Sequence, residues 1–406
     1  MTKLEVMLKY VSENNDFYKK RLKEYGVTNP LDITQWPIIT RKELQENRYN
    51  MFSDGYKEKY FNQQLHRQSS SGSSGVPVNV YWDYKDWYAS NMALWRKRWK
   101  WYGIKPSNKY VMFTLNAFEK EYDKNFKYQI QLSNILLINV TMIHDDYGYI
   151  EIAKQISNFN PTWLYVQPSI LNRLINTYIK YHIEPPSSLK YIESVGELLT
   201  FDLRNKAQKF FKVTVVNMYG SEEMNGIAYE CPKGHMHVLT DNVFLEFDCI
   251  ETSTKPVQVI LSNLNNRAMP LIRYAQEDMV LLNKATFCEY DSTPIIESIC
   301  GRIYETIKVD GVEINGFTLK EIIAEVNNEF NDSISAYKFE FNQSNKKLIC
   351  YIRMHDGSVQ WFGSVHDAIK KTFNHKIPKK CIDFSVICAE NLVYSNSKQM
   401  IRIIEE

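Results

Sequence analysis

The sequence predicts an α/β protein in two parts. A large N-terminal part carries parallel-rich sheets and a β-rich subdomain, and a small α+β part follows. Three observations predict this. Between residues 110 and 218, short β-branched or aliphatic runs alternate with stretches of helical periodicity, the order that builds largely parallel sheets. Between 243 and 282 the runs are closely spaced, as in an all-β segment. Beyond Gly301-Arg302 a separate β/α pattern of roughly a hundred residues begins, so the domains are read as 1–301 and 302–406.

The elements follow in order. Residues 3–25 have the spacing of one helix, with Leu4, Met7, Leu8 and Val11 on one face and Gly26 at its end. Trp36-Pro37-Ile38-Ile39 is extended, and Thr40 with Glu43 forms a capping box that opens a short helix. Residues 84–102 read as a buried helix bearing Trp87, Trp95, Trp99 and Trp101, most of them core. Strands are predicted at 110–114 and 135–140, then a helix from Pro168 with Ile170, Leu171, Leu174, Ile175 and Tyr178 on one face. Buried strands at 191–196 and 213–218 flank another helix, and strands at 243–247 and 257–261 begin the β-rich stretch. In the C-terminal part, Leu319, Ile322, Ile323 and Val326 mark a helix. Strands near 338–341 and 348–353 and a helix over 359–373 complete it.

With 44% hydrophobic and 24% charged residues in 406, the chain has the composition of a globular protein with a large core. A net charge of +2 gives no broad attraction to nucleic acid or to an anionic membrane, and neither is expected as a partner. No apolar run approaches the ~18 residues of a membrane span. The seven scattered cysteines and a polar start predict a reducing, cytoplasmic setting. The 27 tyrosines and 20 phenylalanines favour aromatic-walled pockets.

Chemistry concentrates first in Ser69-Ser70-Ser71-Gly72-Ser73-Ser74-Gly75-Val76-Pro77. Its glycines allow tight bends, and its N–H and O–H groups can face an anion. A flexible linker is the commoner use of such a tract. Against that, Pro77 and the alternating run Val78-Asn79-Val80-Tyr81-Trp82 would anchor it to a strand. The lysine of the GxxxxGK(S/T) phosphate loop is lacking, so that fold is not implied. Tyr219-Gly220-Ser221-Glu222-Glu223 follows the strand predicted at 213–218, and ligands bind at the carboxyl ends of such strands. A tyrosine there can stack on a purine and a carboxylate can hold Mg2+ beside phosphates. Asp278 suits a ribose, Arg302 supplies a cation, and Lys398 an ammonium near the C-terminus. Each of these alone also fits an ordinary turn, loop acid or solvated tail.

As an ordered set they resemble the adenylate-forming (acyl/aryl-CoA ligase) superfamily, whose loop reads Ser/Thr-Ser-Gly-Ser/Thr-Ser/Thr-Gly-x-Pro. Within it the chain is similar to the phenylacetate–CoA ligase and capsular-polysaccharide-biosynthesis branch. That likeness rests on Phe17-Tyr18-Lys19-Lys20, on Trp36-Pro37-Ile38-Ile39-Thr40-Arg41-Lys42-Glu43-Leu44, on Met269-Pro270-Leu271-Ile272-Arg273-Tyr274, and on Glu230-Cys231 before His237. It spans about residues 10–402. The resemblance implies an adenylation domain, a hinge near Gly301-Arg302 and a mobile C-terminal lid. Ser70, Ser71, Gly72, Ser73, Ser74 and Gly75 would hold the ATP phosphates. Gly196-Glu197 would lie near the adenine, with Tyr219 stacked on it beside Gly220 and Ser221. Glu223 would bind Mg2+, Asp278 with Arg302 the ribose, and Lys398 would bridge the carboxylate and the α-phosphate. Cations that neutralise charge at phosphorus are what attack of an anion on an anion requires.

The implied reaction converts a small carboxylic acid and Mg-ATP to an acyl-adenylate and pyrophosphate. The lid then turns, the loop around Gly311 replaces Lys398, and a thiol enters, with coenzyme A as acceptor and an aryl or arylacetic acid as the default substrate. The alternatives are transfer to an amine or carrier protein, and nucleotide binding without turnover; a homodimer stands beside a monomer. Four departures from the family pattern are Val76 where many members have lysine, Glu222 in a threonine slot, Tyr304-Glu305 at the hinge, and Ser397 before the lysine. Cys231, His237 and Cys288 offer the donor types of a structural Zn2+, with His235 close by. The resemblance leads one to look for a further thiolate beside Cys288, where Phe287, Glu289 and Tyr290 stand instead. The other reading is reduced, half-buried cysteines.

Overall fold

The computed structural model describes residues 1–70, 78–114, 129–140, 143, 146–247, 256–282, 288–302, 306–331, 333–355, 358–377, 382–389 and 401–404. They form two compact units, one drawn from residues up to Ser298 and the other from Ile299 onward together with Glu277–Met279.

The chain opens with two helices, α1 (Lys3–Asn14) and α2 (Asp16–Glu24), where the spacing predicts one. Asn15 breaks them. It is extended, fully buried, and its side chain caps α2 at Tyr18 N while donating to the Met51 carbonyl. A buried asparagine that satisfies a helix end and a distant loop outweighs the helical propensity around it. The capping box of Thr40 and Glu43 forms as predicted and starts α3 (Arg41–Asn47). Short α4 (Tyr56–Phe61) leads to the hairpin of β1 (His66–Ser69) and β2 (Asn79–Trp82), then to α5 (Tyr84–Tyr102). On α5, Trp101 is buried, but Trp99 is 63% exposed and does not belong to the core.

One twelve-stranded sheet organises the first unit. Its strands are β3 (Tyr110–Thr114), β4 (Gln129–Leu132), β5 (Ile135–Asn139), β6 (Trp163–Val166), β7 (Tyr191–Val195), β8 (Thr214–Ser221), β9 (Asn225–Glu230), β10 (Met236–Val238), β11 (Val243–Phe247), β12 (Val257–Asn263), β13 (Tyr274–Leu282) and β14 (Ile295–Arg302). They lie in the order β11-β12-β13-β14-β10-β9-β8-β7-β6-β3-β5-β4. Pairing is parallel from β5 through β3, β6 and β7 to β8, and turns antiparallel at β9. The strands of 243–282 thus extend the same sheet. The crossover helices α6 (Asp146–Phe159), α7 (Pro168–Lys180) and α8 (Phe201–Phe211) pack their apolar stripes on Val111, Leu164, Ile192 and Val215. The alternate residues Trp163, Tyr191, Val195 and Val216 face a second cluster that includes Leu94 and Trp101 of α5. Every residue of β7 is therefore buried, as a central strand covered on both faces must be.

The second unit begins with the hairpin of β15 (Ile307–Val309) and β16 (Val312–Ile314), turning at Asp310 and Gly311, both at positive φ. A four-stranded sheet in the order β19 (Asp383–Cys388), β18 (Lys347–Met354), β17 (Ile334–Asn342), β20 (Ile401–Ile404) packs against α9 (Gly316–Glu329) and α10 (Phe362–Lys376). The predicted stripe Leu319, Ile322, Ile323 and Val326 lies in that core. No described helix is long and apolar enough to cross a membrane.

Candidate active site

Of the predicted site residues, Glu223 stands in the turn between β8 and β9, and Ser70 is linked to it through Arg41. The strand β8 runs three residues further than its β-branched pattern suggests, taking in Tyr219, Gly220 and Ser221, with a register shift between Tyr219 and Gly220. Gly220 is required there, because a Cβ would meet the Asn225 carbonyl oxygen at 2.5 Å. The resulting hairpin holds Glu223 at 4% exposure. Its Oε1 accepts from Tyr274 Oη at 3.4 Å and from Arg41 Nη1 at 3.5 Å.

Arg41 arrives from far away in sequence. Ile39 pairs with Tyr274, its N–H bonding the Arg273 carbonyl and its carbonyl accepting from Ala275, and the capping box then starts α3 at Arg41. Arg41 is 8% exposed and its Nη2 donates to Ser70 Oγ at 3.1 Å. Ser70 in turn closes the base of the Ser/Gly segment, its N–H bonding the Val78 carbonyl and its Oγ accepting from Val78 N, each at 2.9 Å. Ser70, Glu223, Tyr274 and Arg41 thus form one group. Arg41 was not among the residues singled out by sequence; a cation in the first turn of a helix, where the backbone dipole disfavours it, was the available signal.

Ser221 Oγ donates to Gln276 Oε1 at 2.9 Å, and Gln276 Nε2 reaches the Tyr219 hydroxyl at 3.5 Å. Gly196 sits at φ +73° just beyond β7. The next residue, Glu197, turns its carboxylate onto the start of α7, accepting from Ser169 N at 2.9 Å and Ser169 Oγ at 3.0 Å. In the second unit Asp278 and Arg302 are ion-paired at 3.2 Å. Ser71, Gly72, Ser73, Ser74, Gly75, Val76, Tyr304, Glu305, Ser397 and Lys398 lie outside the described residues.

A second constellation joins Cys231, His235, His237 and Cys288, whose donor atoms all lie within 4.8 Å of one another. The β9–β10 turn builds one half, with Cys231 N bonded to the His235 carbonyl and Gly234 N to the Cys231 carbonyl. Cys231 and Cys288 sulfurs are 3.9 Å apart. His237 Nε2 and His235 Nδ1 are buried and make no hydrogen bond, while His237 Nδ1 lies 3.5 Å from Thr293 Oγ1. Two thiols and two imidazoles at this spacing fit a tetrahedral Zn2+, with Thr293 orienting one ring from behind. His235 supplies the fourth donor of the group.

Deep in the same unit, Arg98 of α5 meets Glu193 of β7 through two bonds of 2.6 and 2.8 Å. Trp95 and Trp163 cover the guanidinium at 4.7 and 5.2 Å. The Tyr191 and Tyr229 hydroxyls lie 3.0 and 2.9 Å from Glu193 Oε2 and also meet each other, their two protons shared among these three contacts. Burial, with Glu193 next, pushes both phenols well above their ordinary pKa, which keeps them donors. Burial works against the Arg98 charge, but Glu193 outweighs it and the pKa is raised.

No family model matches the chain. It is 23% identical over 345 residues to a phenylacetate-coenzyme A ligase of Pseudomonas putida, covering 80% of this chain and 75% of that one. A 2-hydroxyisobutyryl-CoA ligase, solved in the postadenylation state with 2-HIB-AMP, superposes with a TM-score of 0.76 at 14% identity over 100% of this chain and 88% of the other. The chain shares the fold of that CoA ligase. An anthranilate CoA ligase, AuaEII, in complex with anthranoyl-AMP, shares that fold more distantly, with a TM-score of 0.57 at 14% identity over 82% of this chain and 65% of the other.

Proposed function

We propose that this adenylate-forming protein is an AMP-forming carboxylate–CoA ligase. It joins a carboxylic acid to ATP as an acyl-adenylate, releases pyrophosphate, and passes the acyl group to the thiol of coenzyme A. The observation that carries this reading is the convergence of Glu223, Arg41 and Ser70 at the carboxyl end of β8. The curated relative and the two structural neighbours described above, each named as a CoA ligase, support it.

In this reading Ser70 and the five residues after it cradle the phosphates through N–H and O–H donors. Glu223 holds Mg2+, which supplies charge neutralisation at the β- and γ-phosphates. Tyr219, kept in place by Gln276, stacks on the adenine, and the Asp278–Arg302 pair takes the ribose. Lys398 steadies the carboxylate and the α-phosphate during adenylation, and the turn at Gly311 takes its place for thiol transfer. Zn2+ held by Cys231, His235, His237 and Cys288 locks the β9–β10 turn to the chain before β14 and takes no part in the reaction.

The test is carboxylate-dependent ATP–pyrophosphate exchange across aryl, fatty and amino acids, followed by AMP release with and without coenzyme A. An aryl or arylacetic acid is expected to support exchange, with AMP release accelerated by the thiol. Exchange with no response to coenzyme A assigns the acyl group to an amine or a carrier protein. Mg-ATP binding with no exchange for any acid removes the ligase reading.

A further inference from the structure

We propose that the outer face of α5 is the interface through which two copies of this chain pair, helix against helix, about a twofold axis at Met92. The inner face of this helix lies against the sheet, where Ala93, Leu94, Arg98 and Trp101 are buried. The outer face is not the polar surface that such a helix normally turns to water. Tyr84, Tyr88, Met92 and Trp99 are all between 42% and 63% exposed. They stand in one row, because steps of four, four and seven residues return to the same side of a helix. A single exposed tyrosine or tryptophan is ordinary, whereas an aligned row of large apolar side chains marks a contact surface.

What this row fits is itself, reversed. Three exposed cations share the face: Lys85, Arg96, which also meets Asp241 at 2.5 Å, and Lys100. When two such helices pack antiparallel across Met92, residues equally far before and after it come opposite each other. Tyr84 and Lys100 both stand eight positions from Met92, Lys85 and Trp99 seven, and Tyr88 and Arg96 four. Each ring therefore meets a cation of the second copy, and the twofold axis makes every such contact twice. Met92 meets its own counterpart on the axis, an unbranched side chain that adapts to an apolar contact. Rings with basic neighbours would also suit an anionic lipid surface, but a bilayer has no need of this mirror order of ring and cation. The second copy of the chain does.

The experiment is sedimentation velocity of the full chain over a concentration series, at low and at high salt. The parent is expected to form a dimer. Met92→Glu sets two carboxylates against each other on the axis and is expected to weaken that dimer by about 30-fold or more, the scale of losing a central contact. The fold should survive, since the position is exposed and glutamate suits a helix; Trp99→Ala, with the same expected loss, serves if it does not. Tyr88→Glu instead meets Arg96 of the second copy, so its dimer is expected to persist at low salt and to dissociate at high salt. A parent chain that stays monomeric up to about 0.1 mM overturns the proposal, as does a dimer that Met92→Glu leaves unchanged. Tyr88→Glu breaking the dimer as fully as Met92→Glu overturns it too, because the antiparallel register is then wrong. Vesicles containing phosphatidylglycerol complete the test: a monomeric parent that sediments with them, and a Trp99→Ala variant that does not, give this face to a membrane surface and likewise overturn the pairing.

Discussion

Two arginine–glutamate pairs lie buried in the first unit and are built in opposite ways. Arg98 and Glu193 are saturated: two short bonds, two tyrosine hydroxyls on the carboxylate, two tryptophan faces on the guanidinium. Arg41 Nη1 lies 3.5 Å from Glu223, with Ser70 among the partners of the arginine and Tyr274 beside the carboxylate. A buried pair whose hydrogen-bonding capacity is filled holds strands and helices in place. A buried pair with loose geometry can release one partner to an incoming ligand. The first pair clamps α5 to β7, and the second stands beyond the end of β8, where we propose that nucleotide chemistry takes place.

Breaking the saturated pair tests the contrast most severely. Arg98→Ala or Glu193→Ala is expected to cost about 3–5 kcal/mol in urea denaturation, because a buried charge is left alone. The double replacement Arg98→Met/Glu193→Leu should regain most of that stability. A single alanine that costs less than about 1 kcal/mol would show that water reaches the pair after all.

At the loose pair the effect should fall on turnover. Glu223→Gln is expected to lower pyrophosphate exchange on the order of 10²–10³-fold, the usual scale for removing one charge-stabilising group. Its stability is expected to fall less than that of Arg98→Ala, since glutamine can still accept hydrogen bonds from Arg41 and Tyr274. A large drop in stability with exchange preserved reverses the assignment of the two pairs. Lys398→Ala sharpens the comparison with a third cation: adenylation is expected to fall by a similar 10²–10³-fold. ATP affinity and turnover of preformed acyl-adenylate with the thiol should stay near the parent values, and equal damage to both half-reactions would argue for a folding defect instead.

The metal constellation lies between these extremes. Metal analysis of protein purified without chelator is expected to give about one Zn2+ per chain. Cys231→Ser or His235→Ala should release it and lower thermal stability, with adenylation kinetics at low temperature preserved. Fully stable, metal-free protein returns these four side chains to ordinary packing. The smallest change is Thr40→Ala, which removes the cap that starts α3 and should cost about 1 kcal/mol. If Arg41 depends on that cap for its aim at Glu223, pyrophosphate exchange falls in the same variant; unchanged exchange means the Ile39–Tyr274 pairing alone positions it.

What the sequence determined by itself was local or ordered along the chain. The Thr40–Glu43 capping box, the α7 stripe from Ile170 to Tyr178 and the α9 stripe all follow from spacing, because a helix brings residues three and four apart together wherever it sits. The order of the Ser/Gly segment, Tyr219, Glu223, Asp278 and Lys398 was enough to suggest the family. Partnerships were not legible, since they depend on which strand ends the sheet brings side by side. Asn15 divides a helix because of a loop at Met51, Trp99 faces outward because α5 rotates its other side to the sheet, and Glu197 bonds Ser169 at the start of α7. Arg41 finds Glu223 across 182 positions only because Ile39 pairs with Tyr274, and His235 joins the cysteines only because the β9–β10 turn folds it back. Periodicity is a property of neighbours in sequence, whereas a charge is placed by the tertiary fold that surrounds it.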